Sequence, residues 1–475
     1  MAYIGRPSIV GNFVKLDSIT AVNGQAAYTM QNNSVNFTDY STVNQFLVSL
    51  NSVIQSPGSS FTVSGSTLTF ASNLSTGDVI DFIIVFGNSL SAGVPTDATV
   101  STAKLTDNAV TAAKITDSTI TAAKLASGVV QNQSAFKNIF INGDMSTAQR
   151  GTSFTSDGFT LDRFDFDSTS SDGFTITQDT TVPSGQGFAK SLKVDCTTAN
   201  TSLATNDQIR VLQKVEAQNL QQLAYGTSSA KSLTLSFWVR SNKTGTYGIS
   251  ISQEDNSFYT FIREYTISSA DTWEKKTLTF DGDTSGVINN DNGAGLWVQF
   301  ALGGGSNRQG SAGSWLTSYK LTTSNQVNLA DSTSNEWYIT GVQLEVGTAA
   351  SDFEFLPHDV NLQRCQKYYY LHTDSVAINK PIGVGFYYSG SYLGIAVHFP
   401  VSMRGTPSVV SPNSTDYFKI DRNNGNDTFN SIALEIGSQN AMYCYNGSQV
   451  SGTGGEAGYV RTHNASSYLA FESEL

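Results

Sequence analysis

Nucleophilic catalysis needs a serine or cysteine within reach of a histidine, and this sequence offers little of that kind. Its four histidines, His358, His372, His398 and His463, stand in no recognisable spacing with a nucleophile, and no G-x-S-x-G occurs. Carboxylate pairs for glycan cleavage can be drawn from 39 acidic residues, but what makes such a pair work, a separation of roughly 5 to 10 Å, is spatial. Hard oxygen ligands occur in EF-hand-like order at Asp281, Asp283 and Ser285, followed by Gly286, Asn289 and Asp291. The position of the closing bidentate glutamate is Asn292, and Leu278-Thr-Phe280 reads as strand, so a β-turn with solvated acids is the expectation. No metal or other cofactor is therefore expected, with Asp281, Asp283 and Asp291 as the weak candidates for calcium. Cys196, Cys365 and Cys444 are far apart and form no CxxC, which points to buried, reduced thiols.

Sugar recognition asks for different residues: aromatic faces for the apolar side of a pyranose ring, with amides or charged groups beside them for the hydroxyls. The last hundred residues have that supply. Tyr443 and Tyr445 are two apart and should share one strand face, and Asn423-Asn424-Gly425-Asn426 reads as an exposed loop. Tyr387, Tyr388 and Arg422 complete the set of glycan-binding candidates. Alternating tyrosines that half-bury themselves in a sheet and contact nothing foreign are the competing reading of the same residues.

These side chains have to be positioned by strands. Only 14% of the 475 residues are charged, against roughly 25% in an average soluble protein, while Ser, Thr, Asn and Gly are abundant. At 39% hydrophobic and 11% aromatic, the chain has enough apolar surface to fold, and its length fits roughly three domains. A net charge of −12 removes an electrostatic basis for holding nucleic acid. Met1–Ser8 lacks the apolar core of a secretory signal, and no run of about 18 apolar residues occurs, so neither signal-peptide export nor membrane insertion is expected.

The clearest internal feature is a ten-residue repeat: Val100–Ala109, Val110–Thr119 and Ile120–Val129 align without a gap. It places apolar residues at Val100, Leu105, Val110, Ile115, Ile120 and Leu125, a spacing of five that fits neither helix nor strand. A unit so small cannot bury that row against itself. The same row in other chains is the natural partner, and a closed, parallel homotrimer brings three rows to one axis. A flexible linker in a monomer is the alternative.

Strand patterns flank the repeat. Before it, Phe46–Leu50, a hairpin about Ser64-Gly65-Ser66, and Val79–Phe86 predict a small β-sandwich. After it, Leu233–Arg240, Trp273–Phe280, Leu296–Leu302 and Trp337–Leu344 alternate apolar with polar residues, as a two-sheet, jelly-roll-like sandwich requires, with the tryptophans in its core. Tyr392–Phe399, Ile432–Ile436 and Tyr468–Leu475 mark a further β domain. The expected architecture is mainly β: an N-terminal domain over 1–93, the stalk over 94–135, a sandwich over 136–358, a connector over 359–371 and a terminal tip over 372–475.

Tyr3-Ile-Gly-Arg-Pro7, Ser52–Gly58, Phe61–Gly65 and Leu68-Thr-Phe70 resemble, in order and spacing, the N-terminal module of tail fibre proteins of podovirus-type tailed bacteriophages. The middle stretch is similar to the carbohydrate-binding-module-like domain of such fibres through Asn142-Gly-Asp144, Gln149-Arg-Gly151, Asp283–Gly286, Asp291–Leu296, Gly341–Glu345 and Gln363–Tyr369. Phe399–Pro407 and the terminal Tyr468–Leu475 resemble the closing domain, where receptor recognition is generally placed. The resemblance implies a non-enzymatic receptor-binding protein of the virion tail, assembled in the host bacterial cytoplasm. Residues 1–93 would dock to tail or adaptor proteins, and the far end would adsorb to a host surface glycan such as lipopolysaccharide. A glycan-degrading tailspike and a structural collar or adaptor fibre are the other readings.

Overall fold

A computed structural model describes residues 13–87, 105, 110–111, 115, 136–171, 173–423 and 425–475. Val100, Ile120, Leu125 and Asn424 lie outside the described residues, as does the Tyr3–Pro7 motif. The chain divides into two units, Met1–Val129 and Val130–Leu475, and it is mainly β throughout, with antiparallel sheets. Among the described residues no helix is long and apolar enough to cross a membrane.

In the first unit a four-stranded sheet runs Phe13–Lys15, Ile80–Phe86, Phe46–Leu50, Val53–Ile54, and a three-stranded sheet runs Gln25–Thr29, Thr67–Leu74, Phe61–Ser64. The expected hairpin is present: Ser64 pairs with Thr67 across Gly65-Ser66, and Gly65 takes the positive φ, +54°, that such a tight turn demands. Alternation along these strands delivers Tyr28, Phe46, Phe61, Leu68, Phe70 and Ile83 to one core. The described apolar residues of the repeat, Leu105, Val110 and Ile115, are exposed on the single chain.

The second unit contains a sandwich and a tip. One sandwich sheet has six strands in the order Ser153–Phe154, Gly173–Asp179, Ser191–Thr198, Glu336–Val346, Leu233–Ser241, Glu274–Phe280. The other has seven: Gly158–Phe159, Asp165–Ser168, Gln208–Glu216, Ala294–Gly304, Gly245–Gln253, Tyr259–Ile267, Trp315–Leu316. Inward residues such as Ile249, Ile251, Val298, Phe300, Leu235 and Phe237 form the core between them. Of the tryptophans expected there, only Trp337 is fully buried. Trp238, Trp273 and Trp297 are half-buried, and Trp297 alternates with core residues Leu296 and Val298, which turns it to the outer face.

Motifs carried by the resemblance turn out to be fasteners. At Gly341 (φ +63°) strand Glu336–Val346 skips register against Leu233–Ser241 between Ser236 and Trp238, a bulge in which Gly341 lies under the Phe188 ring. Onto that bulge folds the opening segment: Asn138 Nδ2 donates to Val342 O (3.1 Å), and Val342 N donates to Gly143 O (2.8 Å). Gln149 Nε2 donates both to Asp162 (2.6 Å) and to Tyr369 O (2.7 Å), reaching toward the tip.

The stretch expected as a connector, 359–371, is structured. His358–Gln366 is a helix, and Tyr369–Thr373 is a strand paired with Leu469–Glu472 in a three-stranded sheet completed by Ser408–Val410. The tip's main sheet has seven strands: Gly425–Phe429, Phe418–Arg422, Ala457–Thr462, Pro381–Ser389, Tyr392–His398, Ala441–Asn446, Ala433–Gly437. The final strand lies at the joint with the sandwich. Arg150 pairs with Glu472 and Glu474 (3.1 Å each), Arg163 pairs with Glu474, and Lys214 Nζ donates to Leu475 O (2.7 Å). The three cysteines are free and buried, and burial pushes the Cys444 thiol up to about 12.

Candidate functional site

Two sheet faces could offer a sugar aromatic and polar groups. On the sandwich, the outer face of the seven-stranded sheet carries Trp297, Arg210, Lys214, Gln299 and Asp167, but the protein itself occupies their polar atoms. Arg210 pairs with Asp167 (2.7 Å) and donates to Gln299 and to Tyr319 Oη (2.6 Å). Gln299 donates to Ser250 (3.1 Å) and Ser252 (3.0 Å), Trp297 Nε1 donates to Glu254 (2.6 Å), and the Lys214 ammonium sits 4.5 Å from the Trp297 ring centroid. Tyr319 comes from the segment following strand Ala294–Gly304 and caps Arg210 and Gln299, both buried. A face whose donors and acceptors are already matched gains little from sugar hydroxyls.

On the tip the situation is the reverse. From Val384 onward the strand Pro381–Ser389 alternates, with Val384, Phe386 and Tyr388 outward and Gly385 and Tyr387 inward. Phe386 sits opposite Gly394, which sits opposite Tyr445. Gly394 is required there because the Tyr443 hydroxyl occupies the place a Cβ would take. The rings form two groups on this face, Phe386 with Tyr443 at 6.0 Å, and Tyr388 with Tyr392 at 6.0 Å and Tyr392 stacked on Tyr445 at 5.1 Å. Tyr388 is 76% exposed and Ile436 on the neighbouring edge strand 68%. Tyr392 Oη donates to Glu435 (2.5 Å), itself exposed. Slight desolvation first, and the Glu435 carboxylate second, raise the Tyr392 phenol above its ordinary range, so it stays a protonated donor.

Tyr443, Tyr445 and Tyr388 thus share this face, as the spacing of the first two predicts. Tyr387 does not. It is fully buried, with its hydroxyl bonded to Asp427, because adjacent strand residues point to opposite faces. Arg422 lies on that inner network, pairing with Asp427 (3.1 Å), donating to Ser451 O (2.7 Å) and lying 4.8 Å from the Tyr387 ring centroid. Asn423 and Asn426 are exposed on the hairpin where Arg422 pairs with Gly425. That hairpin is four strand spacings from Ala441–Asn446, roughly 19 Å, so the asparagines and the tyrosines form separate surfaces. Phe386 and Tyr392 belong to the tyrosine face although neither is among the candidates singled out above; their parity with Tyr388 and Tyr445 is the signal that finds them.

The three aspartates of the acidic turn are placed differently from one another. Asp283 is buried, accepting from Ser285 N (2.8 Å) and Gln253 Nε2 (2.6 Å), whereas Asp281 and Asp291 are exposed. Among the described residues no three His, Cys, Asp or Glu side chains gather as metal ligands. One carboxylate with both oxygens engaged falls well short of the six to eight oxygens calcium takes.

No family model matches this chain, and no curated protein matches it. Among solved structures it is similar to a family 4 carbohydrate-binding module, 12% identical over 43% of this chain and 97% of that one, with a TM-score of 0.22. It is also similar to the family 11 carbohydrate-binding module from Clostridium thermocellum in complex with a β-1,3-1,4-mixed-linked tetrasaccharide, 12% identical over 42% and 98%, with a TM-score of 0.24. A third similarity is to the enzymatically active domain of bacteriophage CBA120 tailspike protein 4, 14% identical over 44% of this chain and 21% of that one, with a TM-score of 0.26, so this chain spans about a fifth of that domain's length.

Proposed function

We propose that this chain is the receptor-binding fibre of a phage tail, docked to the tail through residues 1–93, joined to two further copies along its repeat, and adsorbing without catalysis to a host surface glycan such as lipopolysaccharide. The observation that carries glycan recognition is one sheet face with exposed Phe386 and Tyr388 beside half-buried Tyr392, Tyr443 and Tyr445. Five rings on one sheet face, with Glu435 at their edge, offer aromatic surface beside a polar group, the combination sugar recognition uses. An apolar surface of this kind, left open to water, marks an interaction site.

The test is adsorption of the full-length protein to host cells, to cells stripped of surface glycan, and by a Tyr388→Ala/Tyr445→Ala double variant. The native chain is expected to bind intact cells only, and the variant to lose about tenfold or more in affinity, as aromatic hot spots do, with an unchanged melting temperature. Equal binding to stripped cells, or full binding by the variant, overturns the reading. Release of reducing ends from host polysaccharide would make the protein a degrading tailspike instead.

A further inference from the structure

Several aromatic rings of the second unit are covered by the protein's own cations. Arg163 lies 3.6 Å from the Tyr368 ring centroid, Arg150 3.8 Å from that of Tyr369, Lys214 4.5 Å from Trp297 and Arg240 4.8 Å from Tyr338. The outer face of the tip is different. Among the described residues no lysine or arginine lies over Phe386, Tyr388, Tyr392, Tyr443 or Tyr445.

A carboxylate is delivered to these bare rings by a bulge. Strand Ala433–Gly437 slips register against Ala441–Asn446 between Leu434, opposite Cys444, and Ile436, opposite Tyr443, which leaves Glu435 unpaired. An extra residue of this kind re-aims its side chain, and Glu435 comes out on the face of Tyr443 and Tyr445, accepting from Tyr392 Oη (2.5 Å). Asp421, Asp427 and Glu456 in the same sheet region are each paired with arginine. Glu435 is exposed and, among the described residues, has no cation within 4.0 Å; Oε2 takes the tyrosine bond and Oε1 makes none. One bond from a neutral hydroxyl leaves its charge uncompensated. Gly447 keeps the flank of the stacked pair open, since a Cβ there would lie 3.2 Å from the Tyr445 ring and 3.8 Å from that of Tyr392.

We propose that Tyr388, Tyr392 and Tyr445, with Glu435, hold the ammonium group of an amino sugar, so that the fibre selects glycans carrying free amines. The faces of aromatic rings are electron-rich and attract ammonium ions, and a carboxylate beside them adds the countercharge. Tyr392 joins the parts: Tyr388 stands at 68° to it, Tyr445 is stacked on it within 6°, and its hydroxyl holds Glu435. A neutral sugar would leave the Glu435 charge unmatched, and an acidic one would be repelled by it. Phe386 and Tyr443 continue the same face without a charged group, which suits the apolar sides of further pyranose rings better than a run of cationic side chains. The proposal rests on the glycan-binding reading given above and names the sugar class that this face takes.

Calorimetric titration of the full-length protein with a glucosamine oligosaccharide, its fully N-acetylated counterpart and a lysine oligomer of equal charge tests it. The two oligosaccharides share a backbone and differ only in whether the nitrogen is charged. The glucosamine form is expected to bind about tenfold more tightly than the acetylated form and the lysine oligomer, with the preference shrinking as salt is raised. Glu435→Gln keeps an acceptor for Tyr392 and removes the charge, so it is expected to lower the glucosamine form to the affinity of the acetylated one. Equal binding of the two oligosaccharides, a Glu435→Gln protein that keeps the native preference, or a lysine oligomer bound as tightly as the glucosamine form overturns the proposal. Adsorption of the Tyr388→Ala/Tyr445→Ala variant to host cells separates the two readings. If that variant loses adsorption while the native chain shows no preference for the amine, the amino-sugar proposal falls and the glycan-binding face stands; full adsorption by the variant removes the face itself.

Discussion

Arg163 shows what single residues do at the joint of the second unit. It holds a positive φ of +72°, a conformation that costs a non-glycine residue about 1 to 2 kcal/mol. That geometry delivers a guanidinium that is stacked 3.6 Å from the Tyr368 ring centroid, donates to Lys214 O (2.7 Å) and pairs with Glu474, whose side chain is 4% exposed. One side chain therefore ties the sandwich, the helix-to-tip segment and the final strand together. Removing one member of a buried pair leaves the other charge uncompensated, which costs about 3 to 5 kcal/mol. Glu474→Gln should accordingly lower the melting transition of the second unit by several degrees in calorimetry while leaving that of the first unit in place. Arg163→Lys should not restore what Arg163→Met loses, because lysine has neither the planar fork nor the stacking face. A Glu474→Gln protein melting like the native one would show that the pair contributes nothing to the joint.

At the scale of elements, alternation made the strands legible, and it was limited by how it was applied. Leu233–Ser241, Ala294–Gly304 and Glu336–Val346 are strands in the structure within one or two residues of the stretches whose patterns predict them. The same rule places Tyr443 and Tyr445 together and, applied to Tyr387 and Tyr388, would have put them on opposite faces. The helix His358–Gln366 was not legible because HDVNLQRCQ has no apolar stripe; only Asn361 and Cys365 are buried, and its contacts are polar ones to Asn138, Asn142 and Asp144. The charged cluster at the joint could not be read either, since Arg150, Arg163, Glu472 and Glu474 meet only through the fold. Gly341 tests whether the quoted motifs are structural. A Cβ there would lie 2.6 Å from the Phe188 ring and the residue would hold a strained φ, so Gly341→Ala should destabilise the sandwich by about 2 to 5 kcal/mol, the sum of overpacking and left-handed strain. Denaturant unfolding measures it.

At the scale of the whole molecule the open question is how many chains act together. Leu105, Val110 and Ile115 are 47%, 53% and 39% exposed on the isolated chain and five residues apart in sequence, and a ten-residue unit is too small to bury such a row against itself. A row of aliphatic side chains in water is unfavourable by roughly 25 cal/mol for each Å² left uncovered, and three copies of the row converging on one axis would remove it. If that is the arrangement, light scattering of the full-length protein should return three times the chain mass. Val110→Asp/Ile115→Asp would set two layers of three carboxylates around the axis, where like charges without counter-ions cannot be buried, and the mass should fall towards that of one chain. The second unit's melting transition should persist in that variant, since its cores lie within residues 130–475. Adsorption to cells should then weaken far more than any single-site affinity for glycan, because a monomer engages one glycan site where a trimer engages several at high effective concentration. A native protein of single-chain mass, or a double variant that keeps the mass of the native one, would remove the repeat as the seam of assembly and leave it a linker.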